Sequence, residues 1–170
     1  MKTHSINNLE FALSGQMLSG KAEPEQMPRL SDMLTTQTSS AQAVEIQYTL
    51  IGSAKKYSLP SLHLNVDATL PVTCQRCLNA MSVHLELEFD YLIAPTEPAE
   101  FDENDELDWL EISQNMSILD LIEDELLIAM PIAPTHSTEY LHECMQHNMQ
   151  SGEKPNPFAV LKSLNKQSVQ

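Results

Sequence analysis

Two long alternating runs on either side of Cys74-Gln75-Arg76-Cys77 constrain this chain more than any other feature. Leu62, Leu64, Val66, Ala68, Leu70, Val72 and Cys74 share one parity, while His63, Asn65, Asp67, Thr69, Pro71 and Thr73 occupy the other. Beyond the cysteines, Val83, Leu85, Leu87, Phe89 and Tyr91 alternate with His84, Glu86, Glu88 and Asp90. Successive side chains of a strand point to opposite faces, so each run reads as a strand with one apolar face and one wet one. Joined by Cys74 to Ala80, they predict a long hairpin with its tip at the cysteines, in an antiparallel sheet solvated on one side. Pro71 cannot donate to a ladder and belongs near an edge or a strand end. Val44, Ile46, Tyr48 and Leu50, alternating with Glu45, Gln47 and Thr49, predict a further strand. A shorter alternation at Leu9, Phe11 and Leu13 predicts a weak one near the N-terminus.

Helical signals flank this sheet. Glu23-Pro24-Glu25 opens a predicted helix, with Met27, Leu30, Met33 and Leu34 as its buried stripe. The polar stretch Thr35 to Ser40 connects it to the strands. Further on, Ser117 is a helix N-cap with Asp120 as its capping partner. Ile118, Leu121, Ile122, Leu126 and Ala129 make an apolar stripe opposite Asp120, Glu123 and Asp124, and Pro131 and Pro134 end the helix. Leu107, Trp109 and Leu110 re-enter the core ahead of it. Near the C-terminus Asn156 can cap and Pro157 fits a first turn, with Phe158, Leu161 and Leu164 lining one side. The expected fold is α+β: an antiparallel sheet with a long hairpin, packed against one main helix and short terminal helices. We read 1–170 as a single domain, with a Pro-containing, mobile acidic connection near 94–106.

Charge narrows the function. The chain carries 9 Lys+Arg against 24 Asp+Glu, a formal charge of −15 over 170 residues. Nucleic-acid binding draws its affinity from Lys and Arg neutralising phosphates, so broad RNA wrapping is disfavoured. Between Glu86 and Glu125 the sequence places 15 acids and not one Lys or Arg. Dense acids usually form a solvated face, but the same charge attracts a basic partner and speeds encounter. Nothing marks a nucleophile, an oxyanion hole or a phosphate loop, so no enzyme, small-molecule substrate or cofactor is expected. Three cysteines cannot all pair, and no apolar N-terminal run resembles a signal peptide or a membrane span. The expectation is a soluble, reduced, cytoplasmic protein.

Cys74 and Cys77 at a hairpin tip can bring two thiolates to one tetrahedral zinc. The remaining ligands would come from His136, His142, Cys144 or His147, with His142 and Cys144 as the chosen candidates. Alternatively both cysteines pack as small apolar side chains. Arg76, the sole Lys or Arg between Lys56 and Lys154, is either a surface charge or an anchor for a partner. The Pro155-to-Leu161 segment either closes the core or docks Phe158 into a partner groove.

Three segments together resemble the YceD family, the large ribosomal RNA subunit accumulation proteins. They are Val72-Thr73-Cys74-Gln75-Arg76-Cys77-Leu78, the run from Ile118 to Leu127 with Pro131, and Lys154-Pro155-Asn156-Pro157-Phe158-Ala159-Val160-Leu161. The resemblance implies a bacterial ribosome-biogenesis factor supporting synthesis, processing or stability of 23S rRNA, with no enzymatic activity. Many relatives carry a second cysteine pair after the acidic helix; here Thr135 to His147 holds Cys144 among three histidines. Combined with the charge, the resemblance points to a basic ribosomal protein or large-subunit assembly factor as the partner, and to rRNA only indirectly. The residues assigned to that contact are Arg76, Asp120, Glu123, Asp124, Pro155, Asn156, Pro157 and Phe158. Two alternatives stand beside it: direct RNA recognition through Arg76, Lys154, Lys162 and Lys166, and a small zinc-binding structural protein.

Overall fold

The computed structural model describes residues 5–35, 44–54, 59–96 and 107–136. The chain divides into two compact units, Met1–Thr135 and His136–Gln170. Only His136 of the second unit is described, and the architecture below is that of the first.

The paired alternation becomes β4 (Ser61–Thr73) and β5 (Ala80–Ala94), antiparallel in register from Ser61↔Leu92 to Thr73↔Ala80. On the other side of β4 lies β3 (Glu45–Ser53), and beyond it the edge strand β2 (Met17–Ala22), so these four run in the order β2-β3-β4-β5. β2 is a strand the alternation did not announce: Met-Leu-Ser-Gly-Lys-Ala lacks strong apolar periodicity, and its shape comes from pairing with β3. Pro71 sits two residues past the last β3–β4 pair, Glu45↔Thr69, where no β3 residue calls for an amide hydrogen; the residue is buried and its carbonyl accepts the Thr35 N–H at 3.1 Å.

The fifth strand changes the sheet type. β6 (Leu107–Glu111) pairs parallel with β5, from Asp90↔Leu107 to Ala94↔Glu111. Strands linked by a tight turn must run antiparallel, whereas parallel neighbours need a connection of about a dozen residues or more. Residues 95–106 supply that length. Ala94, where the mobile connection is expected to begin, is the last residue of β5; residues 97–106 of that connection, and Thr36 to Ser40 of the polar connection expected from Thr35, lie outside the described residues.

A second small sheet pairs β1 (Ser5–Ile6) with β7 (Met116–Ser117) just before the main helix. Between β1 and β2 the weak strand expected at Leu9–Leu13 is a helix, α1 (Asn8–Leu13). The Asn7 side chain accepts from the Glu10 N–H, and burial falls on Asn8, Phe11 and Ala12 at helical spacing rather than on alternate residues. The helix expected after Glu23 is broken in two by Pro28. A 3₁₀ turn over Pro24–Gln26 carries a Glu23/Gln26 capping box, and α2 (Pro28–Ser31) follows. Met27 and Leu30 are fully buried as expected, but Met33 lies outside the core.

α3 (Ile118–Ala129) matches its sequence signals: the Ser117 side chain accepts from the Asp120 N–H, and the helix stops at Met130 before Pro131. All three helices contribute to one apolar cluster with the sheet. Phe11, Met27, Leu30, Ile118, Ile122 and Leu126 pack with Leu50, Leu64, Leu70, Tyr91 and Ile93. Helices on one face leave the other to solvent, which is why the strand parities hold so well.

Candidate functional site

At the hairpin tip the strands separate after Thr73↔Ala80, and the chain turns through Cys74–Asn79. Leu78 N–H donates to Cys74 O at 2.9 Å, and Cys74 N–H donates to Asn79 O at 2.9 Å. Leu78 takes the left-handed conformation, φ 62°, that closes the turn, with its side chain in solvent. Cys74 is fully buried and Cys77 half-buried; neither is in a disulfide. Gln75 N–H reaches Pro134 O at 2.8 Å, which ties the segment following α3 to this tip. Two thiols three residues apart on a turn can supply two of the four ligands zinc takes. The other chosen candidates, His142 and Cys144, lie outside the described residues. Arg76 stands exposed on the same turn.

The carboxylates of α3 divide. Asp120 is exposed at the first turn. Glu123 does not lie on the solvent face that the apolar stripe implied: it is 3% exposed. Its Oε2 meets Arg29 at 2.7 Å (NH2) and 2.9 Å (Nε), and its Oε1 accepts the Leu30 N–H at 3.0 Å. Burial pushes this carboxyl's pKa up, yet the Leu30 amide and the guanidinium outweigh it, and the group ends below its ordinary value. Asp124 pairs with the same guanidinium at 2.6 Å. Helical spacing alone could not show this, because whether an acid at the stripe's margin turns inward depends on the partner that the rest of the fold brings there. The partner, Arg29, is 94 residues away in sequence. Glu125 is also buried and accepts a 2.6 Å hydrogen bond from the Tyr91 hydroxyl. Burial is the main cause that raises both of their pKa values, so the tyrosine keeps its proton and donates.

The open acidic surface is on the solvent side of the hairpin. His63 Nδ1 lies 2.8 Å from Asp90 Oδ1 and its Nε2 3.2 Å from Glu88 Oε1. His84 Nε2 lies 3.1 Å from Glu86 Oε1, and its Nδ1 3.3 Å from Thr69 Oγ1. The Glu86 contact is the main reason the His84 pKa is raised. Asp67, His84 and Glu86 each bring one ligand atom within 4.8 Å of the others, although all three are exposed. Next to them a trough of about 760 Å³ crosses β2, β3, β4 and β5. One wall is the register row Ser19, Thr49, Asn65 and Glu88; the other is Lys21, Gln47, Asp67 and Glu86. Lys21 is turned onto Glu45 at 3.0 Å.

A buried polar residue with no sequence signal, Asn8, holds β6 to α1. Its side chain donates to Glu111 O at 2.9 Å and accepts from the Ser113 N–H at 2.9 Å. Pro155, Asn156, Pro157 and Phe158 lie outside the described residues. Among the described residues, no helix is long and apolar enough to cross a membrane.

What these residues define is a class of small α+β proteins built on a hairpin with two cysteines at its tip and carboxylates along its solvent face. Comparison with known proteins narrows the class. The family model described as large ribosomal RNA subunit accumulation protein YceD matches residues 62–165. A protein of that name from Haemophilus influenzae is 30% identical over 156 residues, 82% of this chain and 82% of that one. The chain belongs to the YceD family. No solved structure matches it.

Proposed function

We propose that this protein supports accumulation of the large-subunit (23S) rRNA by holding a basic protein, either a ribosomal protein or an assembly factor. It serves rRNA indirectly, in the cytoplasm, and without catalysis of its own. The family places the role in the large-subunit pathway. Charge selects the mode of action. Affinity for RNA requires free cations facing phosphates. Among the described residues Lys21 is paired with Glu45, and Arg29 with Glu123 and Asp124, which leaves Arg76 as the exposed cation of the hairpin tip. The single observation that carries the reading is the carboxylate-rich solvent face of β4 and β5, open where the helices do not cover the sheet.

Gentle affinity purification from growing cells, with proteins and RNA identified before and after nuclease treatment, tests it. The expected result is a basic ribosomal or assembly protein that stays bound after nuclease. Recovery of RNA without any basic protein, at low salt, would sink the proposal.

A further inference from the structure

The trough across the sheet has a chemical asymmetry that narrows what could lie in it. Its β2–β3 half is neutral and polar, lined by Ser19, Gln47 and Thr49, with Asn65 of β4 continuing it. Its β4–β5 half carries Asp67, Glu86 and Glu88. Among the described residues the one Lys or Arg in the lining, Lys21, is paired with Glu45 outside it, and histidines lie beside two of the carboxylates, His84 at Glu86 and His63 at Glu88. Amide and hydroxyl side chains can both donate to and accept from a peptide backbone, and carboxylates only accept. One end of the trough therefore suits the main chain of a guest and the other suits its cationic side chains.

Dimensions agree with an extended guest. Four adjacent strands span three inter-strand spacings of roughly 4.8 Å, so the trough is about 14 Å long and takes four or five extended residues. Glu86 and Glu88 are two apart on β5 and so stand ~7 Å from each other on opposite walls at one end of the trough, where a cationic side chain of the guest would lie between them.

We propose that this trough is the docking surface for an extended Lys- or Arg-bearing segment of a basic protein, with its cationic side chains against Asp67, Glu86 and Glu88. The inference rests on the basic-partner reading above and adds to it the place and the conformation of the guest. A phosphate backbone would meet three carboxylates here and is the wrong charge for the site.

The experiment uses the full chain and a fluorescein-labelled Lys-Thr-Lys-Thr-Lys-Thr-Lys peptide, followed by anisotropy in chelator-containing buffer at low and moderate salt. Two variants test the trough: a triple neutralisation, Asp67→Asn with Glu86→Gln and Glu88→Gln, and a single Asn65→Lys that puts a cation in the trough without touching any carboxylate. A control, Glu10→Gln with Glu25→Gln and Glu111→Gln, removes three exposed charges elsewhere. Exposed ion pairs are individually weak and three are lost together, so the triple variant should bind roughly tenfold more weakly. Asn65→Lys should weaken binding severalfold, and the control should change it less than threefold. If the triple variant does not fold, Asn65→Lys decides alone. Equal losses in trough and control variants would show binding that follows net charge, which overturns the trough while leaving the basic-partner reading intact. A single-stranded RNA that displaces the peptide would also overturn it. Failure of the basic-partner reading registers separately, in the cell purification.

Discussion

Replacing Glu123 with Ala tests how α2 is held to α3. In the wild type the Glu123 carboxylate is buried, accepts the Leu30 N–H and pairs with Arg29. Truncation leaves the Leu30 amide, on a residue with 0% exposure, without its acceptor. An orphaned buried amide costs about 1–3 kcal/mol. The ion-pair end adds little, because the Arg29 side chain is 55% exposed and keeps Asp124. We therefore expect a loss of about 2 kcal/mol, read as a urea midpoint lower by about 1 M at an m-value near 2 kcal/mol/M. Glu123→Gln keeps an acceptor for Leu30 and should lose less than half as much. The sign with pH follows from the depressed pKa. The charge-dependent part of the contribution is fully present above the ordinary value of 4.5 and is lost as pH falls through the lower folded-state value. The gap between wild type and Glu123→Ala should be constant from pH 7 to 5 and narrow in acid without closing, because a protonated carboxyl still accepts the Leu30 N–H. A midpoint shift under about 0.3 M at pH 7, or a gap that persists undiminished in acid, would refute the reasoning.

Two further perturbations probe other parts of the fold. Gly52→Ala would drive a Cβ into the Phe11 carbonyl oxygen. Backbone cannot swing aside as a side chain can, so a loss of about 2–3 kcal/mol is expected, measured by the same urea titration; an unchanged midpoint would mean that α1 does not pack on β3 as described. Tyr91→Phe removes the hydroxyl that holds the Glu125 carboxylate and should cost about 1.5–3 kcal/mol at pH 7, as expected for a hydrogen bond to a charged group. Because the Glu125 pKa is raised, the neutral form is the one the fold favours, and stability is lost as pH rises through it. The Tyr91→Phe deficit should accordingly shrink at pH 4, and a deficit that grows there would contradict the assignment.

Much of this structure was legible because its strands are one-sided. A solvent face on one side and helices on the other force apolar and polar residues into opposite parities, which β3 follows throughout, β4 from Leu62 to Leu70 and β5 from Val83 to Phe89, before Tyr91–Ala94 become buried on both faces. α3 was equally readable, since Ser117 and Pro131 bracket it and its stripe has the right period. Where the reading missed, a distant partner had overridden the local pattern. α1 replaced an expected strand because Asn7 caps it and β3 offers Phe11 and Ala12 a surface. β2 appeared because β3 supplies its ladder. β6 joined in parallel because its connection is long enough to return.

The same division runs through the candidate site. The −15 charge, the cysteine pair at a turn and the alternation that sends Glu86 and Glu88 to solvent are properties of the chain itself. They follow from residue type and period alone. Folding decided which acids are held inside the molecule and which stand at its surface. Glu123 and Asp124 are claimed by Arg29, and Glu125 by Tyr91, while Asp67 is brought beside Glu86 by the β4–β5 register to form the acidic end of a trough. Charge is written residue by residue, but whether it is answered inside the molecule depends on which groups the fold brings within a few ångströms.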